Sequence, residues 1–262
     1  MVTSKAVKST ALITLKENWA QSCAQSMIPV FATIIVFLCS VLLSLPFGNI
    51  IAYLIFAVIF SLIVAPLWLG TLRTFWRCAN GINDGVSGCF YYFSKKNEYI
   101  RSVKFNLMIL LHWIKVSLIL LIPAILVHIL TNSQIYDFFG LSIPLFVMNL
   151  RYLGVVFCIG ALILGIAHLI TLYLPAFLFV SIEDMKPPEC LKRGREIGRY
   201  TKSRFFTHLI SYMGWLVVSI LLIPLIFTMP YLMMSYVVEC RYNVAFYNLC
   251  GQAQMHTSVF NV

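Results

Sequence analysis

The sequence predicts an all-α fold, a polytopic transmembrane helical bundle of about six spans with basic interfacial helices on its cytoplasmic side. Three observations carry that reading. The 262 residues are 61% hydrophobic and only 11% charged, against about 25% charged in an ordinary soluble domain. No Asp, Glu, Lys or Arg occurs between Glu17 and Arg73, or between Arg204 and Glu239. The basic residues come in blocks that alternate with the apolar runs. A soluble fold needs a largely polar exterior, and this composition cannot supply one.

The elements follow in order. A stretch of about 20 apolar residues crosses a hydrocarbon core about 30 Å thick, so the first charge-free run holds two spans, Met27–Leu45 and Ile50–Leu72. Pro46-Phe47-Gly48-Asn49 supplies the turn between them. Phe105–Leu130 and Leu153–Ile182 are the third and fourth spans. The run Phe205–Val238 would measure about 51 Å as one helix at ~1.5 Å per residue. That is too long for one crossing, so a break is expected at Pro230, giving Phe205–Phe227 and Tyr231–Leu249. The last segment carries Glu239 and Arg241, which are costly in lipid, so it reads either as a sixth span or as a surface segment. The stretch before Met27 carries Lys5, Lys8 and Glu17 without the apolar core and cleavage site of a signal peptide.

The chain thus reads as a single membrane domain, 1–262, with a repeated unit of basic entry segment plus helix pair at 1–72, 73–182 and 183–250. Trp113 and Ser117 ahead of Ile122-Pro123 recur as Trp215 and Ser219 ahead of Ile223-Pro224. Charge asymmetry sets the orientation. The N-terminal tail, the segment Arg73–Lys104 and the segment Lys186–Arg204 together hold all of the 19 Lys and Arg except Lys115, Arg151 and Arg241. By the positive-inside rule these segments, and both termini, are cytoplasmic. The expected location is the cell membrane, multi-pass.

The densest basic strip is Lys192, Arg193, Arg195, Arg199, Lys202 and Arg204. At 100° per residue, Lys192, Arg195, Arg199 and Lys202 fall on one side of a helix, while Ile197 and Phe205 fall on another. Gly194 and Gly198, four apart, allow a neighbouring helix to approach closely. Because the strip adjoins apolar spans, its expected ligands are anionic lipid headgroups. A protein partner or a second copy of the chain is the alternative, and no nucleic acid is expected. Inside the membrane, Lys115 and Glu239 each lie within about 15 Å of a span's entry point at ~1.5 Å per residue. Each would sit near the midplane, where an isolated charge costs at least about 2.5 kcal/mol, so the two are expected to form an intramembrane polar pair.

Chemistry of other kinds is sparse. Gly81-Ile82-Asn83-Asp84-Gly85-Val86-Ser87-Gly88 lacks the Lys-Ser/Thr of a phosphate loop and reads as a turn. Phe90-Tyr91-Tyr92-Phe93 reads as an interfacial aromatic belt. The 8 cysteines form no CxxC, and the 5 histidines form no metal-ligand or paired-carboxylate pattern. No catalytic residue, metal or cofactor is expected.

Several stretches resemble a family of uncharacterised bacterial polytopic membrane proteins, domain of unknown function 975. They are Leu15-Lys16-Glu17-Asn18-Trp19, Pro66-Leu67-Trp68-Leu69-Gly70, Ile210-Ser211-Tyr212-Met213-Gly214-Trp215, Met229-Pro230-Tyr231 and Phe246-Tyr247. Ile122-Pro123-Ala124 departs from the pattern, which carries glycine after the proline. The family is distantly similar to the membrane region attached to glycerophosphodiester phosphodiesterases, whose catalytic motifs are missing from this chain. The resemblance implies a bacterial inner-membrane protein and no reaction. Three functions are therefore weighed: a non-enzymatic membrane subunit or scaffold, a permease or lipid-handling protein with a polar site between helices, and a membrane-embedded enzyme. The first fits the residues best.

Overall fold

The computed structural model describes residues 3–44, 55–130, 152, 154–157, 159–160, 173–212, 214–215 and 222–259. Every regular element among them is helical. The chain divides into two compact units, Met1–Met108 with Leu172–Val262, and Ile109–Thr171.

In the first unit, α1 (Ser4–Leu15) begins at Thr3, whose hydroxyl accepts the Ala6 amide at 3.3 Å. Such a cap satisfies one of the free amides of the first turn. Val7, Ala11 and Leu15 recur every fourth residue and are buried, in a face that packs on the last helix. The tail expected to be only a basic lead-in is therefore a docked amphipathic helix.

Helix α2 (Trp19–Ser44) and helix α3 (Ile55–Ala79) form an antiparallel pair. Thr71 reaches toward the Gln25 carbonyl at 3.5 Å, the Trp68 indole donates to Thr33 Oγ1 at 3.2 Å, and Phe37 meets Phe56 edge to face. Trp19–Leu43 and Ile55–Ala79 are the two described helices long and apolar enough to cross a membrane, and they contain most of the first two expected spans. The expected turn 46–49 lies outside the described residues. Within α3, Phe60–Val64 forms a π turn. A π turn displaces the normal carbonyl pairing, and here Tyr99 Oη donates to the Leu62 carbonyl at 3.0 Å.

The π turn marks a change of environment. From Val64 to Phe75 every residue but Trp68 is buried, whereas Val58, Leu62 and Ile63 are exposed. On α2, Ser22, Gln25, Ser26 and Met27 are buried, while Phe31, Ile35, Leu38 and Leu42 are exposed. The packed end is held together by the loop after α3. A Cβ on Gly70 would stand 2.0 Å from the Cys89 carbonyl oxygen, and one on Gly88 would stand 2.4 Å from Thr74 Cγ2. Both glycines are required by close approach. Gly85, at φ +68, turns the chain into the 3-10 helix Val86–Phe90, after which comes α4 (Tyr91–Ser94).

Helix α5 (Lys96–Leu130) starts well before the expected span Phe105–Leu130 and takes in part of the basic segment. Of the expected span Leu153–Ile182, residues 161–172 and scattered others lie outside the described set, and its end is α6 (Tyr173–Ser181). Helix α7 (Pro187–Ile210) begins on Pro187-Pro188, which suit a first turn that needs no amide partners. Helix α8 (Leu222–Val259) runs antiparallel to α7, with the pairs Tyr200–Tyr247, Phe205–Tyr236 and Tyr212–Tyr231 in ring contact.

These two helices correct the expected boundary between the fifth and sixth segments. The strip and Phe205–Ile210 belong to one helix, the chain turns at Ser211–Tyr212, and α8 continues through Pro230. Proline removes one amide and crowds the preceding turn. Packing of α8 on α1, α2 and α3 holds the helix across that defect, as neighbouring helices do for prolines in membrane helices.

Candidate functional site

Helix α7 sorts its side chains as the 100° periodicity predicts. Leu191, Gly194, Ile197, Gly198, Thr201, Phe205 and His208 are buried. Gly194 lies so close to α6 that a Cβ would stand 2.6 Å from the Pro175 ring. On the opposite face Lys192, Arg193, Arg199 and Lys202 are exposed, and none of them forms an ion pair among the described residues. The other two expected members behave differently. Arg195 folds its Nε back onto the Leu191 carbonyl at 3.1 Å, and Arg204 turns inward.

Arg204 Nε pairs with Glu239 Oε1 at 3.1 Å, and the carboxylate is 1% exposed. Asn243 Nδ2 donates to the same oxygen at 3.1 Å and to Tyr173 Oη at 3.0 Å, and Tyr173 Oη meets Thr201 Oγ1 at 2.8 Å. The expected partner, Lys115, is an exposed residue of α5 in the second unit. The need that motivated the Lys115–Glu239 pair, a counter-charge for Glu239, is met by Arg204. Arg241 points elsewhere, toward the Ala79 carbonyl at 3.4 Å. Ala79 ends α3 beyond Arg73 and Arg77. The charged part of α8 therefore lies near the polar end of the α2–α3 pair.

Arg204 and Glu239 belong to a longer polar seam. Arg204 and His208 on α7 and Tyr212 in the turn after it recur every fourth residue, facing Ser235, Glu239 and Asn243 at the same spacing on α8. One face of each helix is thus polar where it meets the other. Among the described residues, Arg204 Nη2, His208 Nε2 and Asn243 Oδ1 are buried without a hydrogen-bond partner, and the Tyr212 and Ser235 hydroxyls interact with each other. Helix α1 covers one end: Ser4 Oγ meets His208 Nδ1 at 2.9 Å, Lys8 Nζ donates to the Ser211 carbonyl at 3.0 Å, and the Lys8 ammonium stands over the Tyr212 ring.

A second cluster was not singled out in the sequence. Arg73 Nη1 donates to Asp84 Oδ2 at 3.3 Å and Nη2 to Glu183 Oε1 at 2.6 Å, while its guanidinium stacks on Tyr91 at 3.6 Å. The hydrogen bond from Arg73 holds the Glu183 carboxyl below its ordinary range. Arg77 Nε lies 2.9 Å from Asp84 Oδ2, an ion pair by distance that falls off the hydrogen-bond line. The available signal was Arg73 and Arg77 one turn apart at the end of a charge-free run, followed by a single Asp in a glycine-rich loop. Arg101 ties α5 to the end of α6, donating to the Ile182 carbonyl at 3.1 Å and the Met185 carbonyl at 3.0 Å. The aromatic run divides: Tyr92 is 1% exposed and packs on Phe179, while Phe90 and Phe93 remain exposed.

Among the described residues, no group of His, Cys, Asp and Glu could hold a metal ion. Cys190 lies on the buried face of α7, and that burial pushes its thiol up to about 11, the behaviour of a packing residue. No family model, curated protein or solved structure matches the chain.

Proposed function

We propose that the chain is a non-enzymatic integral protein of the cytoplasmic membrane, a subunit or scaffold that holds anionic lipid headgroups, or an acidic partner, on the outer face of α7. The observation that carries this reading is the set of four exposed cations without an ion pair, Lys192, Arg193, Arg199 and Lys202, on a helix whose other face is packed. Each such residue near an anionic leaflet contributes about 1 kcal/mol. Both termini and the segments Arg73–Lys104 and Glu183–Arg204 face the cytoplasm in this proposal, and the resemblance to a bacterial membrane family supports the same location. Exposed apolar residues on α2, α3 and α5 support embedding in lipid.

The test replaces the four cations with Gln in the full chain and follows phosphatidylglycerol retention by native mass spectrometry. The variant should keep less phosphatidylglycerol, with a weaker salt dependence than the parent. Equal retention would show that the charge serves something else. A second reading, a permease or lipid-handling protein, rests on the buried unpartnered atoms of the α7–α8 seam, because polar groups inside a membrane bundle commonly mark a transport path.

A further inference from the structure

A cavity of about 340 Å³ lies between the end of α3 and the segment that leads into α4, apart from the basic face of α7. That volume falls within the range of small-molecule sites, roughly 300–1,000 Å³. Its charged groups are unequally engaged. Arg73 is 6% exposed, committed to Asp84, Glu183 and Tyr91, and lines the cavity with Nε buried and unpartnered. Arg77 is 33% exposed and touches Asp84 through Nε alone. Its two terminal nitrogens donate to no described residue, so the planar fork suited to an oxyanion is open. Asp84 receives both arginines on Oδ2, and its Oδ1 accepts from no described donor. Ser87 and Ser94 also line the cavity, as does the exposed ring of Phe90.

The sum of charge selects the ligand class. The lining holds Arg73, Arg77 and Asp84, and Glu183 pairs with Arg73 from outside it, so the positive charge left for a simple anion is small. It does present an open guanidinium fork, an open carboxylate oxygen and an aromatic face. Separated charges of both signs beside a ring suit a zwitterion. We propose that this cavity binds a phosphoamine group of the phosphoethanolamine class. The phosphate lies on the Arg77 fork, and the ammonium lies between Asp84 Oδ1 and the Phe90 ring, while the Ser87 and Ser94 hydroxyls donate to the Asp84 and Tyr91 carbonyls at 3.3 and 2.7 Å.

A lipid headgroup and a free phosphoamine share this chemistry, and two arms separate them. In the first, the purified full chain is titrated with O-phosphoethanolamine, and with inorganic phosphate and ethanolamine alone, while thermal unfolding is followed. In the second, the chain is placed in nanodiscs of phosphatidylethanolamine, phosphatidylcholine or phosphatidylglycerol. Saturable stabilisation by O-phosphoethanolamine, exceeding that by either half, is expected for a free ligand. Stabilisation in phosphatidylethanolamine above the other two lipids, without response in the first arm, is expected for a headgroup. In either case Arg77→Gln should weaken the effect about tenfold, the scale of one charge-assisted contact. Arg77→Lys keeps a charge beside Asp84 but loses the fork. It should unfold near the parent temperature and still bind poorly, which separates lost binding from lost folding. Equal stabilisation by inorganic phosphate, no response in both arms, or undiminished binding by Arg77→Lys would overturn the proposal.

Discussion

The two ends of the α2–α3 pair differ in composition and in surroundings: Ser22, Gln25, Ser26, Thr71, Arg73 and Thr74 are buried at one, and large apolar side chains are exposed at the other. At one end, Val64–Phe75 apart from Trp68, together with Ser22, Gln25, Ser26 and Met27, are buried under the loop 80–90, α6 and α8. At the other, Phe31, Leu38, Leu42 and Val58 stand bare. The polar end is covered by protein, and the apolar end is not. The difference teaches where each source of stability acts: side-chain packing and ion pairs at the polar end, and, in the proposed membrane setting, lipid at the other.

Substitutions should therefore have unequal consequences. The largest belongs to the buried pair at the polar end. Glu239→Ala leaves the Arg204 charge without its carboxylate, and breaking a buried pair in this way costs on the order of 3 kcal/mol. Denaturant unfolding in detergent should show that loss, and Arg204→Leu combined with Glu239→Leu should recover most of it. Next comes Gly70→Ala. Its Cβ would meet a backbone carbonyl at 2.0 Å, and overpacking of this kind costs about 1–3 kcal/mol, read as a lower midpoint in the same assay.

A smaller, pH-dependent effect belongs to Glu183. Its carboxyl is held low in the folded state, so its contribution is present above the unfolded carboxyl range and is lost as pH falls through the depressed value. The side chain is 57% exposed, and solvent screening limits the contribution to below about 1 kcal/mol. The stability difference between the parent and Glu183→Gln should accordingly close in acid. Smallest of all is Leu42→Ala at the bare end, where no packing is lost and the change in detergent should stay within about 0.5 kcal/mol.

Much of this contrast was legible in the chain. Absence of charge between Glu17 and Arg73 marks α2 and α3, because a long apolar run has few other uses. The two faces of α7 follow from helical periodicity, and Gly194 from the need for close approach. Other features depend on register between distant segments, and no local pattern carries them. Glu239 finds Arg204 only because α7 and α8 align antiparallel, so counting residues from Tyr231 could not name its partner. Pro230 looked like a break because local propensity disfavours it, whereas tertiary packing decides the outcome. The cavity beside Arg77 is lined within residues 73–94, but it forms only because the chain after α3 folds back on that helix, and only the i, i+4 arginines hinted at it.

The central claim is that the bare end lies in lipid while the basic face of α7 lies at its aqueous border. Site-directed spin labelling in nanodiscs tests it most directly, with labels at the exposed Cys39, at Val58→Cys and at Lys192→Cys in an otherwise cysteine-free chain. Collisions with oxygen should dominate over those with a water-soluble nickel complex at Cys39 and Val58→Cys, and the order should reverse at Lys192→Cys. Nickel-dominated collisions at Cys39 and Val58→Cys would place the bare end in water and contradict the account.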